Sequence, residues 1–261
     1  MAAARKRQAT RRRAIVVGGA AVLVVGIIAL LVSQSSGGSS KVSTSTSTTA
    51  AGSASTSTPP TTVSLAVAPG ASITGDTPCP KADGTSPRTT SFAKAPPTCI
   101  TTGKKYTAVM KTDAGDITIA LDPVAAPVTV NNFVVLARYH FFDGIAFHRV
   151  IPGFVNQGGD PTGTGTGGPG YKFQDELPKA GSYKVGSIAM ANSGANTNGS
   201  QFFLIAGPQG VALPPNYSLF GQATGGLDVI DKINKDGDPN PSGSGTPKVV
   251  HKIINVTITE A

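Results

Sequence analysis

The 261-residue sequence has only two cysteines, Cys79 and Cys99, and three histidines, His140, His148 and His251. Neither cysteine has a second one close by, so no zinc-ribbon or Cys-x-x-Cys redox motif can be written. The three histidines do not space into a zinc set either. No Gly-x-Ser-x-Gly elbow is present, which leaves a Ser-His-Asp hydrolase unsupported. Charged residues are few, at 14% of the chain, and they are unevenly placed. Arg5, Lys6, Arg7, Arg11, Arg12 and Arg13 supply six of the formal net charge of +8. From residue 104 to the end, 12 basic residues stand against 12 acidic ones. The basic balance therefore belongs to one tail, and nucleic acid is excluded as a partner of the rest. Gly163-Thr164-Gly165-Thr166-Gly167-Gly168 satisfies G-x-G-x-x-G. No helix pattern follows it, and Pro169-Gly170 breaks the chain, so a dinucleotide cradle is excluded. No metal and no cofactor is expected.

What the chain does have begins with its amino end. The basic cluster precedes nineteen residues, 14–32, without a charge. As a helix they would extend about 28 Å, close to the hydrocarbon thickness of a bilayer. Arginine and lysine on the amino side hold that end in the cytoplasm. The expectation is a cytoplasmic tail at 1–13, a single transmembrane anchor at 14–32 and an extracytoplasmic remainder at the cell membrane. A cleaved signal sequence is the alternative, since Ser33-Gln34-Ser35 offers small residues to a peptidase. Residues 33–62 are almost entirely Ser, Thr, Gly and Ala and cannot bury enough surface to offset chain entropy, so 33–75 reads as a disordered linker. Residues 76–103 hold both cysteines and Pro80, Pro87, Pro96 and Pro97. Outside the cytoplasm a Cys79–Cys99 bridge is expected, closing a loop worth roughly 3 kcal/mol in the chain-entropy model. Two independent thiols are the alternative.

From about residue 104 the pattern becomes that of a folded domain. Residues 106–111 and 116–121 alternate as strands around an Asp113-Ala114-Gly115 turn. Pro127 suits a first helical turn, and Val130, Phe133, Val134 and Ala137 recur at helical spacing. Asp143-Gly144 is a turn signal before a strand at 145–150. Further strands are expected at 154–157, 186–191, 201–206, 219–223 and 248–259, with a second helix at 226–234. About eight strands and two helices, with many Gly-containing connections, fit an all-β closed eight-stranded antiparallel barrel capped by two α-helices.

Two segments carry the chemical information. One is Phe147-His148-Arg149-Val150-Ile151-Pro152-Gly153-Phe154-Val155-Asn156-Gln157-Gly158-Gly159-Asp160. The other is Met190-Ala191-Asn192-Ser193-Gly194-Ala195-Asn196-Thr197-Asn198-Gly199-Ser200-Gln201-Phe202-Phe203. Together, in this order and at this separation, they resemble the two signature segments of the cyclophilins, the peptidyl-prolyl cis-trans isomerases. The resemblance implies the capped barrel, with a packed interior and an active-site groove on its outside. It implies proline-containing polypeptides as substrates; separately, a monomeric chain is expected.

The chemistry asks for little. Rotation about a peptide bond faces about 18–20 kcal/mol because the nitrogen lone pair is conjugated with the carbonyl. In the twisted transition state that nitrogen becomes a hydrogen-bond acceptor. A donor aimed at it binds the twisted state better than either planar isomer, which is catalysis by differential binding. By the resemblance, Arg149 is that donor, and Phe154 and Gln157 are its catalytic companions. Val155, Phe203 and Leu213 are implied to form the socket for the proline ring, with Tyr217 where a histidine is common. Gln201 and Asn192 are implied to hold substrate backbone, and Gln201 and Gln157 can also orient Arg149. Phe202 and Phe203 must face opposite sides of a strand, one into the barrel and one into the socket. His148 is implied to border the substrate site. Strand alternation, however, turns it away from Arg149, where a satisfied structural histidine is expected. The chain departs from well-known members where Val155 replaces a methionine and where Val211 or Ala212 replaces a tryptophan that contacts cyclosporin. A binding module that holds proline segments without turnover is the rival reading.

Overall fold

Tyr106–Thr112 (β3) and Gly115–Leu121 (β4) form the most regular hairpin in the molecule. Their apolar residues alternate inward, with Tyr106, Ala108, Met110, Ile117 and Ile119 buried. They pair in register around the turn, Tyr106 opposite Leu121 and Thr112 opposite Gly115. The computed structural model describes residues 65–240 and 244–261. In chain order the other strands are Ala71–Ile73 (β1), Thr89–Phe92 (β2), Arg149–Ile151 (β5), Val155–Gly158 (β6), Ser187–Met190 (β7), Phe202–Ile205 (β8), Leu219–Gly225 (β9) and Ile253–Glu260 (β10). The helices are Pro127–Arg138 (α1), the single turn Pro208–Val211 (α2) and Leu227–Lys235 (α3).

Eight strands form one antiparallel sheet in the order β10-β3-β4-β9-β7-β8-β6-β5. It curls into a half-barrel, which corrects the expectation of a closed barrel. The edge strands β5 and β10 share no ladder. Between them stand one bridge, Ala146 to Lys252, and backbone bonds such as Gly144 N to Ile253 O at 2.7 Å and Phe147 N to His251 O at 2.9 Å. The expected strand at 145–150 is regular only from Arg149, and the one at 248–259 only from Ile253. Before Ile253, the His251 ring is held between Asp113 (3.1 Å) and Asp236 (2.9 Å).

The core is aromatic. Phe133 on α1 lies 5.0 Å from Phe142, 5.8 Å from Phe202 and 5.3 Å from Phe220, ring centre to ring centre. Helix α1 has Pro at its start and no capping side chain of its own. Glu176 supplies the cap from a distant loop, accepting from Val128 N at 3.0 Å and Thr129 N at 2.8 Å. A carboxylate there also suits the positive end of the helix dipole.

The folded part starts earlier than residue 104. Residues 65–75, expected as linker, contain β1, which pairs in parallel with β2. Phe92 is 1% exposed and belongs to the main core, although it precedes the expected domain boundary. Cys79 and Cys99 are bridged. Isolated strands of three and four residues leave almost no periodic signal, which is why sequence pattern alone did not find them. Among the described residues no helix is long and apolar enough to cross a membrane. The expected span at 14–32 lies outside the described residues, as does most of the expected linker.

Candidate active site

On β6, Val155 and Gln157 point to one face and Asn156 and Gly158 to the other. The ladders set Arg149 of β5 opposite Gln157, and Gln157 opposite Phe203 of β8. One row across three strands thus carries a cation, a carboxamide and an aromatic ring. The next row, Ile151, Val155 and Ile205, is apolar.

A relay of carboxamides holds the cation. Arg149 Nη1 donates to Gln157 Oε1 at 3.3 Å, and Gln157 Nε2 donates to Gln201 Oε1 at 3.0 Å. Gln201 Nε2 donates to the carbonyls of Gly165 and Gly167 at 3.0 and 2.9 Å. Each amide orients the next, so the guanidinium is anchored to a glycine-rich loop two residues removed from it. The guanidinium carbon also lies 5.8 Å from the centre of the Phe154 ring, within cation–π range. Burial holds the Arg149 pKa below the ordinary guanidinium value, with Tyr217 opposing weakly. The group stays charged at neutral pH.

Beside it lies an apolar socket separate from the main core. Val155, Tyr183, Ala189, Phe203 and Ile205 form its buried floor, and Phe154, Leu213 and Tyr217 are its half-buried walls. Phe203 meets Tyr217 edge to face at 5.3 Å, while its neighbour Phe202 enters the main core. The ladders therefore set a hydrogen-bond donor in the same row as the aromatic ring of this apolar cluster, an arrangement compatible with prolyl isomerisation.

The family model described as cyclophilin type peptidyl-prolyl cis-trans isomerase/CLD matches residues 107–258. The chain belongs to this family. A peptidyl-prolyl cis-trans isomerase B of Streptomyces anulatus is 47% identical over 144 residues, covering 48% of this chain and 82% of that protein. A peptidyl-prolyl cis-trans isomerase B of Bacillus subtilis is 49% identical over 123 residues, covering 47% and 85%. The solved cyclophilin-type isomerase of Cryptosporidium parvum superposes with a TM-score of 0.53 at 31% identity, covering 59% of this chain and 98% of that one. Its structure has also been determined in the presence of the dipeptide Ala-Pro.

Within this cyclophilin domain the expected site residues divide into two groups. Arg149, Phe154, Val155, Gln157, Gln201, Phe203, Leu213 and Tyr217 come together as described. Asn192 stands on the loop after β7, its side chain donating to Asn216 O at 3.0 Å and accepting from Gly194 N at 3.3 Å. His148 is a correction on both counts. It is 8% exposed, and it lies under Gly165 of the glycine-rich loop rather than in the socket. Among the described residues both its ring nitrogens are buried without a hydrogen-bond partner, unlike the satisfied histidine expected. Burial pushes its pKa down, opposed by Asp160 and aided by Arg149.

Three supporting residues were given no role from the sequence, although Asp160 closes the first signature segment. Tyr183 accepts from Tyr217 N at 3.1 Å and donates to Tyr217 O at 2.7 Å, fixing the socket wall. Burial pushes its own pKa up to about 12. Asn234 of α3 accepts from Gly153 N at 2.8 Å and donates to Ile151 O at 2.9 Å and to Asn156 at 2.8 Å, locking the turn that presents Phe154. Asp160 gathers the glycine-rich loop, accepting from Thr162 N, Gly165 N and Gly167 N at 2.7, 2.6 and 3.1 Å. Burial opposes its ionisation, but these bonds outweigh that and hold its pKa below the usual carboxylate range. A cleft of about 360 Å³ is lined by Arg149, Phe154, Ile151, Pro152, Gln209, Asp238 and Pro239.

Proposed function

We propose that the chain accelerates cis-trans isomerisation of Xaa-Pro bonds in exported polypeptides, with Arg149 donating a hydrogen bond to the prolyl nitrogen as the amide twists. The proline ring occupies the socket of Val155, Phe203, Leu213 and Tyr217, with Phe154 at its lip. Gln157 and Gln201 keep the guanidinium aimed, and Asn192 meets the substrate backbone. The observation that carries this reading is the Arg149–Gln157–Gln201 relay beside an apolar socket. A rigid donor is already oriented before the substrate arrives, so little reorganisation is left for the transition state. Support for the substrate class comes from the family and from the relative studied with Ala-Pro. Uncatalysed isomerisation takes tens to hundreds of seconds and can limit folding, so a catalyst needing no energy source is useful outside the cytoplasm.

The enzyme is tethered, on this reading, by residues 14–32 with residues 1–13 in the cytoplasm, and it works as a single chain. The support is the charge-free run next to the basic cluster. Fractionation of cells expressing the full chain is expected to leave it in the membrane pellet after alkaline extraction, with its carboxyl end open to external protease. Recovery in the soluble cytoplasmic fraction would contradict the tether. An isomerisation assay on an Ala-Pro peptide tests the catalytic part: the full chain is expected to accelerate exchange, and peptide binding without acceleration would favour the binding-module reading.

A further inference from the structure

Residues 65–92 lie outside the segment matched by the family, which begins at residue 107. They form one connected unit. β1 pairs with β2, Gly70 N donates to Thr90 Oγ1 at 2.8 Å, and Ala71 N donates to Arg88 O at 2.9 Å. Arg88 ties the unit together and to the domain, donating to Ala68 O at 2.6 Å and to Asp143 O at 3.2 Å. Thr89 N adds a bond to Tyr139 O at 2.9 Å.

This unit grips the glycine-rich loop at both ends. Val67 N donates to Pro161 O at 3.0 Å, and Phe92 N donates to Pro169 O at 2.8 Å. Between those anchors are Gly165 and Gly167, whose carbonyls receive Gln201. Leu65 packs so closely on Gly163 that a side chain added there would overlap it. A stretch with glycine at positions 163, 165, 167 and 168 has unusual backbone freedom, and ordering it is entropically costly. Asp160 gathers the loop from within, and residues 65–92 clamp it from outside.

We propose that residues 65–92 are a positioning strap for the isomerase site. By fixing the carbonyls of Pro161 and Pro169, the strap holds the loop carbonyls that orient Gln201, and through Gln201 and Gln157 it sets the aim of Arg149. Val67 and Arg88 are positioning residues that touch no substrate. The inference rests on the assignment of Arg149 as donor.

A double-mutant cycle in the full-length chain tests it. Val67→Pro removes the N–H that reaches Pro161, and Arg88→Ala releases the strap from Ala68 and Asp143. Each is expected to lower kcat/KM by about three- to tenfold, while the Kd for an Ala-Pro peptide stays within about twofold. In a Gln201→Ala background, which has lost the donor to the loop, neither change is expected to lower kcat/KM further. Losses that simply add in that background, or unchanged kcat/KM in both single variants, would overturn the proposal. If Val67→Pro does not fold, Arg88→Ala, a half-buried surface clamp, completes the cycle. Arg149→Ala, assayed in parallel, separates the two claims. If it keeps full activity, the donor assignment fails. If it loses activity while the cycle is additive, only the strap fails.

Discussion

A desolvated guanidinium is costly unless its donors are engaged, and Arg149 is half-buried with its pKa held down by that burial. The hydrogen bond to Gln157 at 3.3 Å occupies one of the several donors a guanidinium carries. The opposite case stands next to it in the chain. His148 is buried with both nitrogens unpartnered among the described residues, and its pKa is lowered chiefly by desolvation, with Asp160 and Arg149 as the charged neighbours. The unfolded chain binds a proton here near pH 6.5, whereas the folded chain resists it. His148 therefore contributes stability that is full above about pH 6.5 and is lost as pH falls through the folded pKa. Thermal unfolding of the full chain is expected to show Tm falling between about pH 7 and pH 5. His148→Leu should flatten that dependence without lowering Tm at pH 7, because no hydrogen bond is removed. An unchanged pH slope in the variant would contradict this. At this scale Arg149, Phe154, Val155, Gln157 and Phe203 were named through the resemblance of the two signature segments, because alternation gives the face of a residue and not its role. His148 was misjudged because alternation tells which side a residue faces and not whether a partner waits there.

Among the elements, the glycine-rich loop and the segment before β3 do most to shape the site, and neither has a periodic pattern. The hairpin of β3 and β4 and helix α1 were readable from alternation and from Pro127, since each is settled by local sequence. The open edge between β5 and β10 was not, because it depends on long-range pairing that no local pattern records. The strap was hidden for a similar reason: β1 and β2 are short and gain their order from long-range contacts. The Cys79–Cys99 bridge spans a sequence separation of 20 residues across this part of the chain. Replacing both cysteines by serine is expected to lower unfolding stability by about 3 kcal/mol in urea titrations under non-reducing conditions. Reduction of the native chain should give a similar loss. A wild-type midpoint in the double variant would show that the strap is held by packing and hydrogen bonds alone.

Viewed whole, the chain divides its charge and its chemistry. The basic residues that set the net charge lie in the first thirteen positions, while residues 104–261 balance 12 bases against 12 acids. The net charge of this part gives no broad field, and the proposed catalysis relies on a few oriented groups. The proposed isomerisation turns on Arg149 acting on the twisting amide rather than on the resting peptide. The most direct measurement is NMR exchange spectroscopy of an Ala-Pro peptide with the full-length chain and with Arg149→Ala. The wild type is expected to bind the peptide and exchange its isomers rapidly. The variant is expected to remain folded and to bind within a few-fold, with exchange slowed by about 10²–10³-fold, the scale of losing one transition-state donor. Exchange at the wild-type rate in a folded Arg149→Ala variant would contradict the account.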